Sequence, residues 1–199
     1  MTGEETPRSE WVLSDKTRRD TVEHDAGAFL RKQLTLFRAF HLHGGLRFDT
    51  FERTQSIPAT GDEASQKDWA LSPSAGLNIA VLDFREHKLN ALVSWGRSFS
   101  PVFRAVSDTE FADITPETSE GIDAGLKTRL WGRLLEGSAF FYQLDRKDVI
   151  AWNSTAESWQ NAGKWRVRGV ETDWLLRPVR GLEVSAAYTY RKPVIEQST

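Results

Sequence analysis

The side chains best suited to chemistry are few, and their spacing limits what they can do. The histidines are His24, His41, His43 and His87. His41 and His43 are two residues apart and would share a face of a strand, which is close enough for two imidazoles to meet one metal ion. No carboxylate or third histidine is placed with them by the sequence, so the pair reads as polar wall, not as a metal centre. Asp123, Glu171 and Asp173 would serve as acid or base only if something raised a pKa and held two carboxyls at a set separation. Nothing in the local sequence does either. No nucleophile and base pair emerges, so an enzyme is not expected, nor is a bound cofactor. A second set is cationic: Arg47, Lys127, Arg129, Arg166, Arg168 and Arg191. Gathered on one wall, these would attract an anionic ligand. The plainer reading, which we favour, pairs them with Asp49, Asp123, Glu171, Asp173 and Glu183.

Composition narrows the classes. The 199 residues hold 26 basic and 28 acidic side chains mixed along the chain, with no basic block to grip nucleic-acid phosphates. There is no cysteine, which removes disulfides and thiolate metal sites. No apolar run approaches the roughly 20 residues of a membrane helix. A membrane barrel is compatible with the negative mean hydropathy of −0.48, because only alternate residues of its strands face lipid. Eight tryptophans suit either an aromatic girdle or a tryptophan-rich soluble core.

The elements that would position these residues have a period of two. Phe40, Leu42, Leu46 and Phe48 alternate with His41, His43, Arg47 and Asp49. Leu182, Val184, Ala186, Tyr188 and Tyr190 alternate with Glu183, Ser185, Thr189 and Arg191. Ile122, Ala124, Leu126 and Leu130 alternate with Asp123, Lys127 and Arg129. A helix from Gly121 to Phe141 would have to absorb Gly121, Gly125, Gly132 and Gly137, at roughly 1 kcal/mol each. Tight turns are expected at Phe37–Ala39, Asp83–His87, Trp131–Gly132 and Pro178–Gly181. Long polar loops are expected at Thr54–Asp68, Pro101–Ser119 and Asp145–Gly163. Short turns and long loops that alternate in this way are the pattern of an outer-membrane barrel. Eight strands are predicted near residues 22–36, 39–53, 69–82, 88–99, 118–130, 133–145, 163–177 and 182–192, with a ninth possible in Trp11–Asp20. Aromatics on both parities, Phe140 and Tyr142 against Phe141, leave the faces of 134–145 open. The apolar parity also switches between Trp165 and Val170, so either a β-bulge lies at Arg168–Gly169 or Trp165 lies beyond the bilayer.

The stretch PETSEGIDAGLKTRLWG (Pro116–Gly132) resembles a recurring strand of TonB-dependent outer-membrane receptors. Gly27–Phe51, Leu71–Ile79, Ser94–Arg104 and Asn161–Tyr190 are similar to successive barrel strands of the same family. The resemblance implies a ~22-stranded barrel with a plugged lumen, set in outer-membrane lipid and importing an iron–siderophore or similar scarce ligand. The energy would come from the TonB complex, engaged through a segment ahead of the plug. Ligand contacts in the family lie largely on plug and outer loops, so no ligand residue carries over to a position here.

The expected fold is therefore all-β: an antiparallel up-and-down meander forming an open, curved part of such a barrel over residues 1–199. Residues 1–20 are expected to be an extra strand or a disordered start. Neither plug nor closing strand is recognised, and the start MTGEETPRSEWVLSD has no basic segment followed by an apolar one. The chain is thus expected to be an internal piece without a secretory leader, and not competent for transport by itself. Phe40, Leu42, Leu46, Phe48, Leu126, Leu182, Val184, Tyr188 and Tyr190 should face lipid, and the six cations above should face the lumen. Two other readings compete: a porin or adhesin barrel, and a soluble lipocalin-like barrel, which would turn its apolar residues inward.

Overall fold

The computed structural model describes residues 19–101, 103 and 114–197. They form one antiparallel sheet of eight strands paired in chain order: β1 (Asp20–Leu36), β2 (Phe40–Ile57), β3 (Asp62–Phe84), β4 (His87–Ser100), β5 (Glu117–Leu130), β6 (Leu135–Asn153), β7 (Ser158–Val179) and β8 (Leu182–Gln197). The only helical piece among these residues is a single 3-10 turn at Trp131–Arg133. β1 and β8 do not pair, so the sheet is open. The possible ninth strand at Trp11–Asp20 falls almost wholly outside the described residues.

One end closes tightly. β1 and β2 meet at residues 37–39, where Phe37 and Arg38 both take positive φ, and β7 and β8 turn through Arg180 and Gly181. The turn expected to begin at Pro178 is shorter than that, because Pro178 and Val179 remain in β7 and Gly181, at φ 86°, supplies the left-handed residue that a two-residue turn needs.

The opposite end differs from expectation in a similar way. Residues 54–68 and 145–163 were expected to be loops, yet β2 runs on to Ile57, β3 begins at Asp62, β6 reaches Asn153 and β7 begins at Ser158. Hairpin hydrogen bonding continues into water. Only the apolar alternation lapses there, and with it the signal that marks a strand in a sequence.

Cross-strand partners share a face of a sheet, so the register sorts the side chains. Phe40, Ile79, Ala91, Leu126, Ala139, Thr172 and Tyr188 are successive partners from β2 to β8, as are Leu42, Leu77, Val93, Ala124, Phe141, Val170 and Tyr190. This face is continuously apolar, and most of its large residues are exposed, Leu42, Leu126, Val184 and Tyr188 among them. The other face carries His41, His43, Arg47, Asp49, Asn78, Asn90, Lys127, Arg129, Glu136, Asp173, Glu183 and Arg191. A soluble barrel would bury the first set. Here the four buried apolar residues among those described are Phe51, Ile57, Ala64 and Ile114, none of them from the apolar face of the strands.

The apolar band runs oblique to the hydrogen-bond rows. It covers Phe40–Phe48 on β2 and Leu182–Tyr190 on β8, nine positions each, as a tilted membrane strand requires. The partner of Phe40 on β8 is Tyr188, six residues above Leu182, and the partner of Tyr190 on β2 is Leu42, six residues below Phe48. Six strand steps therefore shift the band by six residues. One residue of about 3.3 Å per strand spacing of about 4.8 Å corresponds to a tilt of about 35°, within the roughly 35–45° of outer-membrane barrels.

β6 settles the faces of 134–145. Phe140 and Tyr142 lie on the polar face against Gly125 of β5 and Gly169 of β7, where a Cβ would collide with their rings, while Phe141 joins the apolar face. The glycines make room for aromatic rings that lie flat on the inner wall. The proposed bulge at Arg168–Gly169 is absent, since pairing is unbroken from Trp165 to Leu176 on both sides. Trp165 and Val167 are on the polar face because the apolar band has ended at Val170.

Substituting Val93 by arginine, in mid-band, should destabilise the folded barrel by about 2–4 kcal/mol. S94R, on the other face beside Asp123, should cost no more than about 0.5 kcal/mol. Denaturant titration of the intact receptor in lipid vesicles measures both. In the same assay G125V should cost about 1–3 kcal/mol through collision with Phe140, and A124V, pointing to lipid, should be near neutral.

Candidate lumen surface

The polar face is the inner, concave wall, and its side chains are the more crowded: on β2, Asp49, Phe51, Gln55 and Ile57 are buried while their neighbours of opposite parity are not. Arg47 and Asp49 alternate onto this face from one strand, and the guanidinium grips the carboxylate through Nε and Nη2 at 2.8–2.9 Å. That pair is the plain pairing read from the sequence. Glu183 is also taken, but by Arg177, at 2.6 Å. Asp123 and Asp173 accept hydroxyls, from Ser94 and Ser138.

Near the tight-turn end, Lys88, Asn90, Lys127, Arg129, Glu136 and Asp173 line an open cavity of about 530 Å³. The register makes it: Lys88 is opposite Arg129, Arg129 opposite Glu136, and Asn90 opposite Lys127. Glu136 is the hub, accepting hydrogen bonds from Arg133 and Arg177 at 3.1 Å and ion-paired with Arg129 at 3.0 Å. One carboxylate holds three guanidinium groups, and among the described residues Lys127 enters no ion pair. The cavity suits an anionic guest or an acidic side chain of another segment.

Of the six cations named from the sequence, Arg47, Lys127, Arg129 and Arg191 lie on this wall. Arg166 and Arg168 do not. Their partners in the rows are Asp145 and Gln143 on one side and Val194 and Lys192 on the other, which places them on the apolar side just beyond the band. The parity switch between Trp165 and Val170 had left the side of these two arginines dependent on a bulge that the unbroken pairing does not contain. Arg166 is ion-paired with Asp145 and Glu196.

His41 and His43 share the inner face as expected, but each is engaged otherwise. His41 Nδ1 meets the Thr35 hydroxyl at 3.1 Å, and the His43 ring covers Gly76. No group of three His, Asp or Glu side chains suited to a metal occurs among the described residues.

Sequence reasoning missed the outer end of the wall. Above Ser74, where Pro73 has no N–H to offer, β3 and β4 no longer pair. Phe51 there stacks on Phe99 at 5.4 Å and meets Phe103 edge-on at 6.0 Å, with the Arg53 guanidinium over Phe103. Arg53 Nε, Gln55 Nε2, Gln66 Oε1 and Asn78 Oδ1 are buried without a hydrogen-bond partner, and all four residues belong to the inner face. Buried polar atoms are rarely left so.

Comparison with known proteins agrees with the geometry. Residues 4–199 match the family model described as TonB dependent receptor-like, beta-barrel, and the chain belongs to that family. Among solved structures it is similar to the ferric-catecholate import receptor Fiu of E. coli K12, with a TM-score of 0.71 and 16% identity, over 90% of this chain and 29% of that one. It is similar also to the alcaligin outer-membrane receptor FauA of Bordetella pertussis, with a TM-score of 0.68 and 20% identity over 89% and 31% of the two chains. The copper transporter OprC gives a TM-score of 0.68 at 20% identity over 87% and 29%. The chain thus spans about three-tenths of the length of these receptors. A comparison with curated protein sequences returned no match.

Removing the hub charge with E136Q leaves Arg129, Arg133 and Arg177 facing one another around a neutral amide. The intact receptor should then unfold at lower denaturant concentration, with a deficit that shrinks as salt is raised from low to physiological concentration and screens the repulsion.

Proposed function

We propose that this sheet is the wall of an outer-membrane receptor that imports a scarce anionic metal complex, a ferric siderophore, with energy from the TonB complex. The observation that carries the reading is the division of faces: a band of lipid-facing side chains outside, and a polar wall of mixed charge, incompletely satisfied among the described residues, inside. Family membership supports it, and so does the likeness to Fiu, a ferric-catecholate import receptor, and to FauA, a receptor for alcaligin. Copper transport by one similar protein makes the metal cargo the finer question. A porin would share the division of faces but would not depend on TonB.

The test is growth. The intact receptor carrying this sequence is expressed in an iron-starved Gram-negative host stripped of its own siderophore receptors, with single ferric siderophores as the iron source. Rescue should appear with one chemical class of siderophore and vanish when TonB is deleted. Rescue that persists without TonB would move the assignment to a porin, and rescue by copper supply alone would move it to copper import.

A further inference from the structure

Above Ser74 the wall parts between two interior strands. β4 ends its pairing with β3 at Gly96 and leans inward, where Phe99 stacks on Phe51, while β3 extends to Asp62 against β2 alone. Ala80 N–H donates to the Ala39 carbonyl, and β2–β3 pairing is unbroken from Ile79 to Asp62. The even-numbered residues of β3 therefore turn their N–H and C=O toward β2, and the odd-numbered ones turn theirs away. Up to Ala75 the odd residues are met by β4. Beyond it Pro73 has no N–H, and Leu71, Trp69, Lys67, Ser65 and Glu63 meet no strand among the described residues. The Trp69 N–H is taken by the Asp68 carboxylate at 2.7 Å, as suits a donor without a strand partner.

This edge stands outside the bilayer, since Trp69 stacks on Phe48 at the top of the apolar band of β2. Beside it lies a hollow of about 490 Å³ lined by Asp68, Trp69, Leu71, Arg97, Phe99 and Asp148 among others. Around edge and hollow, Asp62, Glu63, Asp68 and Asp148 outnumber Lys67 and Arg97, and none of them enters an ion pair among the described residues. A row of open backbone groups is a template for another strand, and the surplus of carboxylates selects a basic one.

We propose that the outer edge of β3 takes up an extended, cationic segment of a protein outside the cell, which adds to the sheet as a further strand. Backbone pairing would supply the affinity, and the carboxylates the preference for a basic sequence. The inference goes beyond import and rests on the outer-membrane placement above.

The test uses the intact receptor in mild detergent, with a synthetic peptide of alternating threonine and lysine as the probe. Amide hydrogen exchange should be fast at Glu63, Ser65 and Lys67 without the peptide and slowed about ten-fold or more with it, while Ala64 and Gln66 stay slow throughout. S65P removes a donor from the open side and none from the β2 ladder, so slow exchange at Ala64 and Gln66 should persist. Peptide binding should then weaken about ten-fold, the scale of a lost strand hydrogen bond. D68N/D148N should weaken it too, less so as salt is raised, and a peptide with glutamate for lysine should not bind. Equal peptide affinity in wild type and S65P would overturn the proposal. So would slow exchange at Glu63, Ser65 and Lys67 without peptide, which would show the edge already covered. Binding to purified receptor but not to intact cells would overturn the outward placement, and the outside partner with it, while leaving the edge as described.

Discussion

Everything in this sheet depends on one constraint: a backbone N–H or C=O in hydrocarbon has no water to turn to and must be satisfied by a neighbouring strand. A continuous ladder of antiparallel pairs from β1 to β8 is the response, with shifts of register confined to β3–β4, outer β6 and the ends of β7. The irregular backbone is at the ends, where water is available. With the ladder settled, the pleat assigns each residue to lipid or lumen, and the two faces are then free to differ completely.

The shear follows from the same ladder. An apolar band held level in a bilayer, drawn across strands that tilt, must slip along each strand relative to its partner. The slip of about one residue per strand, from Phe40–Phe48 on β2 to Leu182–Tyr190 on β8, is the trace of that tilt in the register. It also explains why Arg168 and Lys192 of β7 and β8 stand in a row with Gly44 and Lys32 of β2 and β1, and yet emerge above the band while Gly44 lies within it.

The two faces are packed by different rules. Outside, side chains meet fluid lipid, and size matters less than polarity. Inside, the wall curves toward its own side chains, and rings, glycines and ion pairs must fit: Phe140 on Gly125, Tyr142 on Gly169, and Glu136 among three arginines. The polar atoms left over among the described residues, at Arg53, Gln55, Gln66 and Asn78, belong to this inner face.

Much of the fold was legible in the sequence because a membrane strand writes its orientation into every second residue. The alternations at Phe40–Asp49 and Leu182–Arg191 sorted the residues into an apolar and a polar face before any contact was known, and the turn at Phe37–Ala39 and the short turn at Trp131 could be placed from punctuation alone. What the sequence could not determine lies where alternation carries no information. Beyond the bilayer both faces meet water, so the strand extensions to Ile57 and Asn153 read as loops, and Arg166 and Arg168 were assigned to the wrong side. Aromatics on both parities of β6 needed the glycines of two neighbouring strands to separate them. The Glu136 hub joins residues up to 41 positions apart. Such partners are chosen by register, a property of paired strands that no single segment contains.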